Sequence, residues 1–150
     1  MNRSYFKDKV IIITGASSGI GLASARLFGS YGAKVVMAAR HLDKLEAEVP
    51  SVSPNPDNVL CVKTDVSKEE DCKALIEKTV EKFGGIDILV NNAGISMRAM
   101  FNDLDLSVIH SLMNVNFWGT VNCTKFALPW LLKSKGSVVA PRACRDDGRP

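Results

Sequence analysis

Long apolar runs and paired cysteines are both missing from this sequence of 150 residues. The longest clean apolar stretch near the start, Val10 to Ile13, is followed by Thr-Gly and is too short for a membrane span or a signal-peptide core. We therefore predict no membrane span and a cytoplasmic location. The four cysteines form no CxxC pair and have no histidine-rich neighbourhood, so the sequence favours free thiols in the core and no metal.

A strong charge of one sign is also absent. The formal net charge is +3, and the basic residues are spread along the chain. Nucleic-acid binding requires a concentrated basic surface, so the composition favours an ordinary solvated surface and predicts no nucleic-acid partner. The hydrophobic content of 46% is enough for the buried core of one α/β-sized domain.

Short apolar segments rich in β-branched residues recur along the chain without polar alternation, as in strands covered on both faces. They are residues 10–13, 34–39, 59–62 and 86–90. Helical patterns lie between them. From Lys68 to Phe83 the apolar residues keep to one face. This alternation predicts an α/β fold, a Rossmann-type doubly wound parallel sheet with helices on both faces.

Two local signals refine the connections between these elements. Ser67 followed by Glu70 predicts a capping box at the start of the helix that ends near Phe83. The segment 50–58, which contains three prolines, predicts a surface connection before the third strand.

A glycine-rich loop follows the first predicted strand, with the sequence Thr14-Gly15-Ala16-Ser17-Ser18-Gly19-Ile20-Gly21. Glycines permit a tight strand-to-helix turn and let the backbone approach a pyrophosphate. The N–H groups at the start of the next helix would face that anion, and the two serines add hydroxyl donors. A purely structural turn is the alternative, but the position directly after the first strand of a βαβ unit favours dinucleotide binding.

The spacing GxxxGxG, together with Asn91-Asn92-Ala93-Gly94 after the fourth strand, resembles the classical short-chain dehydrogenase/reductase family. The resemblance extends from residue 8 to about residue 140. It implies an oxidoreductase that moves a hydride between a nicotinamide cofactor and a small alcohol or carbonyl substrate, commonly as a homo-oligomer. It also implies cofactor contacts at Gly15, Ser17, Ser18, Gly19, Ile20, Gly21, Asp65, Val66, Asn91, Ala93 and Gly94.

The end of the second strand indicates which cofactor is bound. A dinucleotide fold that binds the ribose 2′-hydroxyl of NAD(H) places an acid there, whereas this chain has Ala39 followed by Arg40. Arg40 can pair with a 2′-phosphate, so we predict NADP(H). An ordinary exposed arginine at a strand end is the alternative. The family resemblance assigns Asp65 a contact with the adenine. The alternative is that Asp65 only stabilises a turn.

Asn116 lies within an apolar stripe that runs along a long helical pattern from Asp105 to Lys133. A buried amide needs polar partners, so this position is unusual. The segment resembles the one that carries the asparagine of the family's catalytic tetrad, where it holds a water in a proton relay. The alternative is that Asn116 satisfies a nearby backbone group.

The rest of the family's catalytic group has no counterpart in this sequence. Tyr5 and Tyr31 are its two tyrosines, and neither begins the YxxxK motif whose tyrosine transfers the proton. After Ala140 the strand-like pattern gives way to a charged, proline-containing segment. We therefore expect residues 1–140 to be an incomplete, C-terminally truncated NADP(H)-binding domain, and residues 141–150 to be a charged tail outside the family pattern. A genuine short relative with a divergent tail is the alternative.

Such a chain is expected to be inactive by itself, with its fifth strand left as an exposed apolar edge. A different class of function also fits the residues, namely a non-catalytic nucleotide-binding or dimerisation module.

Overall fold

The computed structural model describes residues 3–140. Strands and helices alternate along this part of the chain, with short 3₁₀ turns at Arg3–Phe6, Pro56–Asn58 and Phe101–Asp103. The strands are β1 Val10–Thr14, β2 Lys34–Ala39, β3 Val59–Lys63, β4 Ile88–Val90 and β5 Ser137–Val139. The helices are α1 Gly19–Ser30, α2 Leu42–Val52, α3 Glu69–Phe83, α4 Leu106–Met113 and α5 Gly119–Ser134.

All strand pairings in this sheet are parallel, and the strand order is β3-β2-β1-β4-β5. The first strand is central, so chain connections run outward from it in both directions. The predicted doubly wound α/β fold is therefore confirmed. Because the carboxyl ends of parallel strands share one edge, the loops after β1 to β4 are brought together there.

Alternate side chains of β1 pack into two apolar layers, one on each face of the sheet. Ile12 packs in a cluster with residues of α3 and α5, such as Leu75 and Ala127. Ile11 and Ile13 pack in the other cluster, with residues of α1 and α2. All of β1 is buried, which explains why its sequence shows no polar alternation.

The cysteines within the described residues are free thiols, as the sequence predicts. Cys72 and Cys123 are buried in the core between α3 and α5. Cys61, on β3, is only partly buried. The fourth cysteine, Cys144, lies outside the described residues, as does the predicted charged tail 141–150.

The predicted capping box at the start of α3 is wrong. The helix begins at Glu69 after Lys68, and no side chain caps it. Ser67 instead donates from its hydroxyl and its backbone N–H to Oδ1 of Asp65, at 2.6 and 3.1 Å. The charged Asp65 carboxylate is a strong acceptor two residues away, and it holds the Ser67 hydroxyl in the turn before α3. The Ser67 side chain therefore does not cap the helix.

The predicted surface connection at 50–58 is also partly wrong. Helix α2 continues through Pro50 to Val52, and both Val52 and Ser53 are buried. The last turn of α2 packs closely against α1 because Gly29 leaves room for the Val52 backbone. This tertiary contact stabilises the last turn of α2 although Pro50 can donate no helical hydrogen bond.

Strand β5 has a neighbour on one side among the described residues, and its two valines, Val138 and Val139, are each 45% exposed. The predicted exposed apolar strand is confirmed. Besides its pairing with β4, β5 is attached through Asp87, whose backbone carbonyl accepts from Ser137 N at 2.9 Å. Asp87 also joins β4 to β1, because its Oδ2 accepts from Val10 N at 2.9 Å and its Oδ1 contacts Lys9 Nζ at 3.3 Å.

Replacing Asp87 tests whether a hydrogen-bond acceptor or a charge fixes this corner of the sheet. We expect Asp87→Ala to lower the free energy of unfolding by about 1–3 kcal/mol, because the Val10 N–H loses its acceptor. Asp87→Asn retains an acceptor oxygen and loses a half-exposed ion pair, so it should cost less than about 1 kcal/mol. Urea unfolding followed by circular dichroism measures both. Equal losses in the two variants would assign the effect to the charge.

Candidate dinucleotide-binding site

A cavity of about 370 Å³ opens at the carboxyl edge of the sheet, where the loops after β1, β2, β3 and β4 meet. The same edge is where parallel α/β sheets bind ligands, at the point where the strand order reverses. Its lining residues are Gly15, Ser17, Ser18, Ile20, Ala39, Arg40, His41, Thr64, Asp65, Val66, Asn92, Ala93, Gly94, Ile95 and Val115.

The glycine loop forms one wall of this cavity. Gly15 has φ +67° and Gly19 has φ +55°, conformations that favour glycine. A Cβ at Gly21 would overlap the Gly15 carbonyl oxygen, so only glycine allows α1 to start so close to β1. Of the predicted phosphate-binding residues, Gly15, Ser17, Ser18 and Ile20 line the cavity, while Gly19 and Gly21 shape the turn.

The first turn of α1 leaves backbone donors free for an anion. Ser18 precedes the helix in an extended conformation, and its side chain makes no capping hydrogen bond. The first helical N–H to be bonded is that of Leu22, to Ser18 O at 3.2 Å. The amides before it face the direction from which an anion is bound at a helix N-terminus.

Two residues absent from the predicted site hold the glycine loop against the loop after β4. Thr14 Oγ1 accepts from Ala93 N at 2.9 Å and donates to Val90 O at 3.4 Å. Asn92 Nδ2 donates to the carbonyl oxygens of Thr14 and Gly15, at 3.1 and 3.3 Å. Both positions adjoin motif residues in sequence. For Thr14, the available sequence signal is a threonine at the end of an otherwise apolar strand.

At the end of β2, Ala39 and Arg40 both line the cavity, and Arg40 is exposed to solvent. Asp65, after β3, lines the same cavity. Burial raises the pKa of Asp65, but hydrogen bonds from Ser67 and the charges of Lys68 and Arg40 outweigh it, so the pKa lies below the ordinary value. The cavity is therefore bordered by a carboxylate at neutral pH and by the Arg40 side chain.

Asp65 and Val66 have different surroundings although they are adjacent. The Asp65 carboxylate organises the turn before α3, which is the role of a turn former, and it also borders the cavity. Val66 is 7% exposed and packs on α5 where Gly119 leaves room for it. The wall formed by this pair is consequently fixed from behind by α5.

Among the predicted residues after β4, Ala93 and Gly94 line the cavity and Asn91 does not. Asn91 is 6% exposed; its N–H donates to Val139 O at 2.8 Å and its Nδ2 donates to Thr124 Oγ1 at 3.1 Å. Asn91 therefore connects β4 to β5 and α5. It does not border the cavity itself, but the residues that follow it, Asn92 and Ala93, do.

Asn116 was expected to be buried, and that expectation is wrong: the residue is exposed. It lies in a π-helical segment, Asn114–Trp118, that joins α4 to α5. The wider turn of this segment moves Asn116 away from the apolar stripe that a regular α-helix would produce. Its Oδ1 accepts from Ile95 N and its Nδ2 donates to Ile95 O, both at 2.8 Å. The amide thus satisfies a backbone group beside Gly94, at the rim of the cavity.

Comparisons with known proteins agree with this geometry. The family model described as short chain dehydrogenase matches residues 9–141. The 11-beta-hydroxysteroid dehydrogenase-like 3 of Arabidopsis thaliana is 44% identical over 135 residues, which are 88% of this chain and 43% of that protein. The chain thus spans less than half the length of this curated relative.

Solved structures superpose on the same region. The alcohol dehydrogenase of Thermococcus sibiricus, complexed with 5-hydroxy-NADP, has a TM-score of 0.85 and 32% identity, covering 89% of this chain and 57% of that one. The 3-ketoacyl-(acyl-carrier-protein) reductase of Brucella melitensis, complexed with NADH, has a TM-score of 0.78 and 36% identity, covering 83% and 51%.

The Rossmann-type sheet and the glycine-loop cavity define a nicotinamide dinucleotide-binding class of protein. Within that class, the chain belongs to the short chain dehydrogenase family of oxidoreductases. Among residues 3–140, no helix is long and apolar enough to cross a membrane, and no three acidic, histidine or cysteine side chains are grouped to hold a metal. The compartment and the oligomeric state stay predictions.

A substitution at Thr14 tests the link between the two loops. Thr14→Val keeps the shape of the side chain but leaves the Ala93 N–H without its acceptor, so we expect hydrogen exchange at the Ala93 amide to accelerate by roughly tenfold or more. Thr14→Ser retains the hydroxyl and should keep the amide protected. Exchange measured by NMR decides this. An unchanged Ala93 rate in the valine variant would contradict the assigned contact.

Proposed function

We propose that this chain supplies the NADP(H)-binding part of a short-chain oxidoreductase. The observation that carries the proposal is that one cavity brings together the glycine loop, Arg40 and the Asp65-Val66 pair. Each is at the end of a different strand, so their convergence depends on the whole sheet.

The residues present fit such a cofactor in shape and in charge. The overlap that a Cβ at Gly21 would produce with the Gly15 carbonyl supports a compact loop, whose backbone amides would reach a pyrophosphate. Ser17 and Ser18 would add hydroxyl donors. Asp65 and Val66 would contact the adenine, and Ala93 and Gly94 leave room for the nicotinamide half. When bound, the nicotinamide would supply the hydride donor or acceptor for an alcohol or carbonyl substrate.

Arg40 is the residue proposed to select the phosphorylated coenzyme. The side chain at position 39 is a methyl group, so no carboxylate at the end of β2 repels a 2′-phosphate. A guanidinium can donate two parallel hydrogen bonds to phosphate oxygens. Asp65 is the nearby carboxylate that opposes this preference, and its interaction with Ser67 directs part of its charge into the turn.

Asn116 is proposed as a positioning residue of the catalytic group. Its amide holds Ile95, which borders the cavity next to Gly94. The π-helical segment alters the helical register where the family's relay asparagine is expected. Asn116 would thereby keep the loop after β4 in the conformation that coenzyme binding requires.

The second candidate function is a non-catalytic nucleotide-binding or dimerisation module. The observation that favours it is the location of the two tyrosines. Tyr5 and Tyr31 pack against Phe6, with ring centroids at 5.2 and 5.9 Å, and neither is among the described residues that line the cavity. No tyrosine of these 150 residues is therefore available as the proton donor.

Replacing Arg40 tests the coenzyme preference. We expect Arg40→Leu to weaken NADPH binding by about 10–100-fold, because charge-assisted hydrogen bonds to the 2′-phosphate are lost, and to leave NADH binding unchanged. Ala39→Asp should shift the preference toward NADH in the same titration. Enhancement of NADPH fluorescence on binding provides the affinity.

Arg26→Leu is the matched control, because it removes the same charge from α1, where Arg26 pairs with Glu48 at 2.7 Å outside the cavity lining. Its NADPH affinity should stay near that of the unsubstituted protein. A comparable loss in Arg26→Leu, or an equal loss of NADPH and NADH affinity in Arg40→Leu, would contradict the assignment.

Both candidate functions predict that these 150 residues have no turnover of their own. We expect the 150-residue chain to bind NADPH and to show no NADPH oxidation above the blank with a panel of aldehydes and ketones, because a tyrosine for proton transfer is missing. Absorbance at the nicotinamide band follows the reaction. Steady turnover that scales with protein concentration would overturn this prediction.

A further inference from the structure

Two buried thiols meet between α3 and α5. Cys123 Sγ donates to Cys72 Sγ at 3.5 Å, and Cys72 Sγ donates to Val66 O at 3.4 Å. Both cysteines are 0% exposed and belong to the same apolar cluster. A disulfide needs sulfurs at about 2.05 Å, so the two atoms must approach by roughly 1.5 Å.

We infer that Cys72 and Cys123 form an oxidation site that closes to a reversible disulfide between α3 and α5 under a peroxide oxidant. The Cys72 sulfur attacks one oxygen of hydrogen peroxide, the O–O bond breaks, and Cys72 sulfenic acid and one water are formed. The Cys123 sulfur then attacks the Cys72 sulfur, which forms the S–S bond and releases a second water. The two thiols lose two electrons and two protons, and both peroxide oxygens leave as water.

The hydrogen bond between the thiols sets the order of attack. Because Cys123 donates to it, the pKa of Cys72 lies below its ordinary value, although burial and the charges of Asp71, Asp65 and Glu69 oppose this. The same hydrogen bond, together with burial, raises the pKa of Cys123. The direction of this hydrogen bond assigns the first attack to Cys72 and the resolving role to Cys123.

Cys61 provides a contrast within the same chain. It lies on β3, half-buried, and burial and the charge of Glu46 raise its pKa to about 11. Its thiol is less ready to ionise at neutral pH than an ordinary cysteine. Cys61 is therefore the natural control position.

A Cys72–Cys123 bond would join two helices that already touch behind the cavity. Gly119, one helical turn before Cys123, leaves room for Val66, and the Val66 carbonyl accepts from Cys72. The cross-link spans a sequence separation of 51 residues, so it would restrict the unfolded chain considerably. Oxidation should stabilise the fold and hold α5 against Val66, which lines the cavity.

The test treats the folded 150-residue chain with hydrogen peroxide, quenches it in acid, alkylates remaining thiols in denaturant and maps the peptides by mass spectrometry. We expect a linked peptide that contains Cys72 and Cys123 and has lost two hydrogens, with Cys61 alkylated. The melting temperature should rise by roughly 5–10 °C and return after thiol reduction.

Two variants make the result specific. Cys123→Ala should abolish the linked peptide and the temperature rise, and Cys61→Ser should retain both. The inference is overturned if Cys72 and Cys123 are recovered separately alkylated or over-oxidised, if Cys72 is linked to Cys61 or Cys144 instead, or if Cys123→Ala shows the same rise. Should the alanine variant fail to fold, the peptide map and its reversal by reductant decide alone.

Discussion

The close approach of two backbone loops, after β1 and after β4, is the constraint on which the site depends. Gly15 lies so near Ala93 that a Cβ at Gly15 would sit 2.9 Å from the Ala93 Cα. Asn92 and Thr14 maintain this approach with hydrogen bonds to backbone atoms of the opposite loop. Because each of these hydrogen bonds joins a side chain to a partly buried backbone group, removing the side chain leaves that backbone group unpaired.

The rest of the cavity follows from the parallel sheet. With β1 at the centre and β2, β3 and β4 around it, four loops are delivered to one edge, and the charged residues of the site need only occupy the first positions after their strands. Arg40 is the first residue after β2, and Asp65 is the second residue after β3. The apolar layers on both faces keep the strands in register, which is why a site made of loops can be well defined.

Features that depend on local sequence could be predicted, and those that depend on tertiary competition could not. The buried strands and the glycine loop have their own patterns, so the fold class and most of the cavity lining were predictable. Ser67 looked like a helix cap, but the Asp65 carboxylate binds it. Pro50 looked like a helix end, but packing of Val52 on α1 extends α2 beyond it.

The position of Asn116 also could not be predicted from the local sequence pattern. A regular helix would have placed it on the apolar stripe, and a π-helical segment is not visible in a periodic pattern. Thr14 was missed because its role depends on Ala93, which is 79 positions away in the chain. Contacts of that range become evident only when the sheet brings the two loops together.

The central claim is that the amides at the start of α1 and the guanidinium of Arg40 bind a phosphorylated dinucleotide. A titration of ¹⁵N-labelled protein with NADPH, followed by amide chemical shifts, tests it most directly. We expect saturable shifts concentrated at residues 15–21, 40 and 92–95. Absence of saturable shifts in folded protein, or shifts confined to other parts of the chain, would contradict the account.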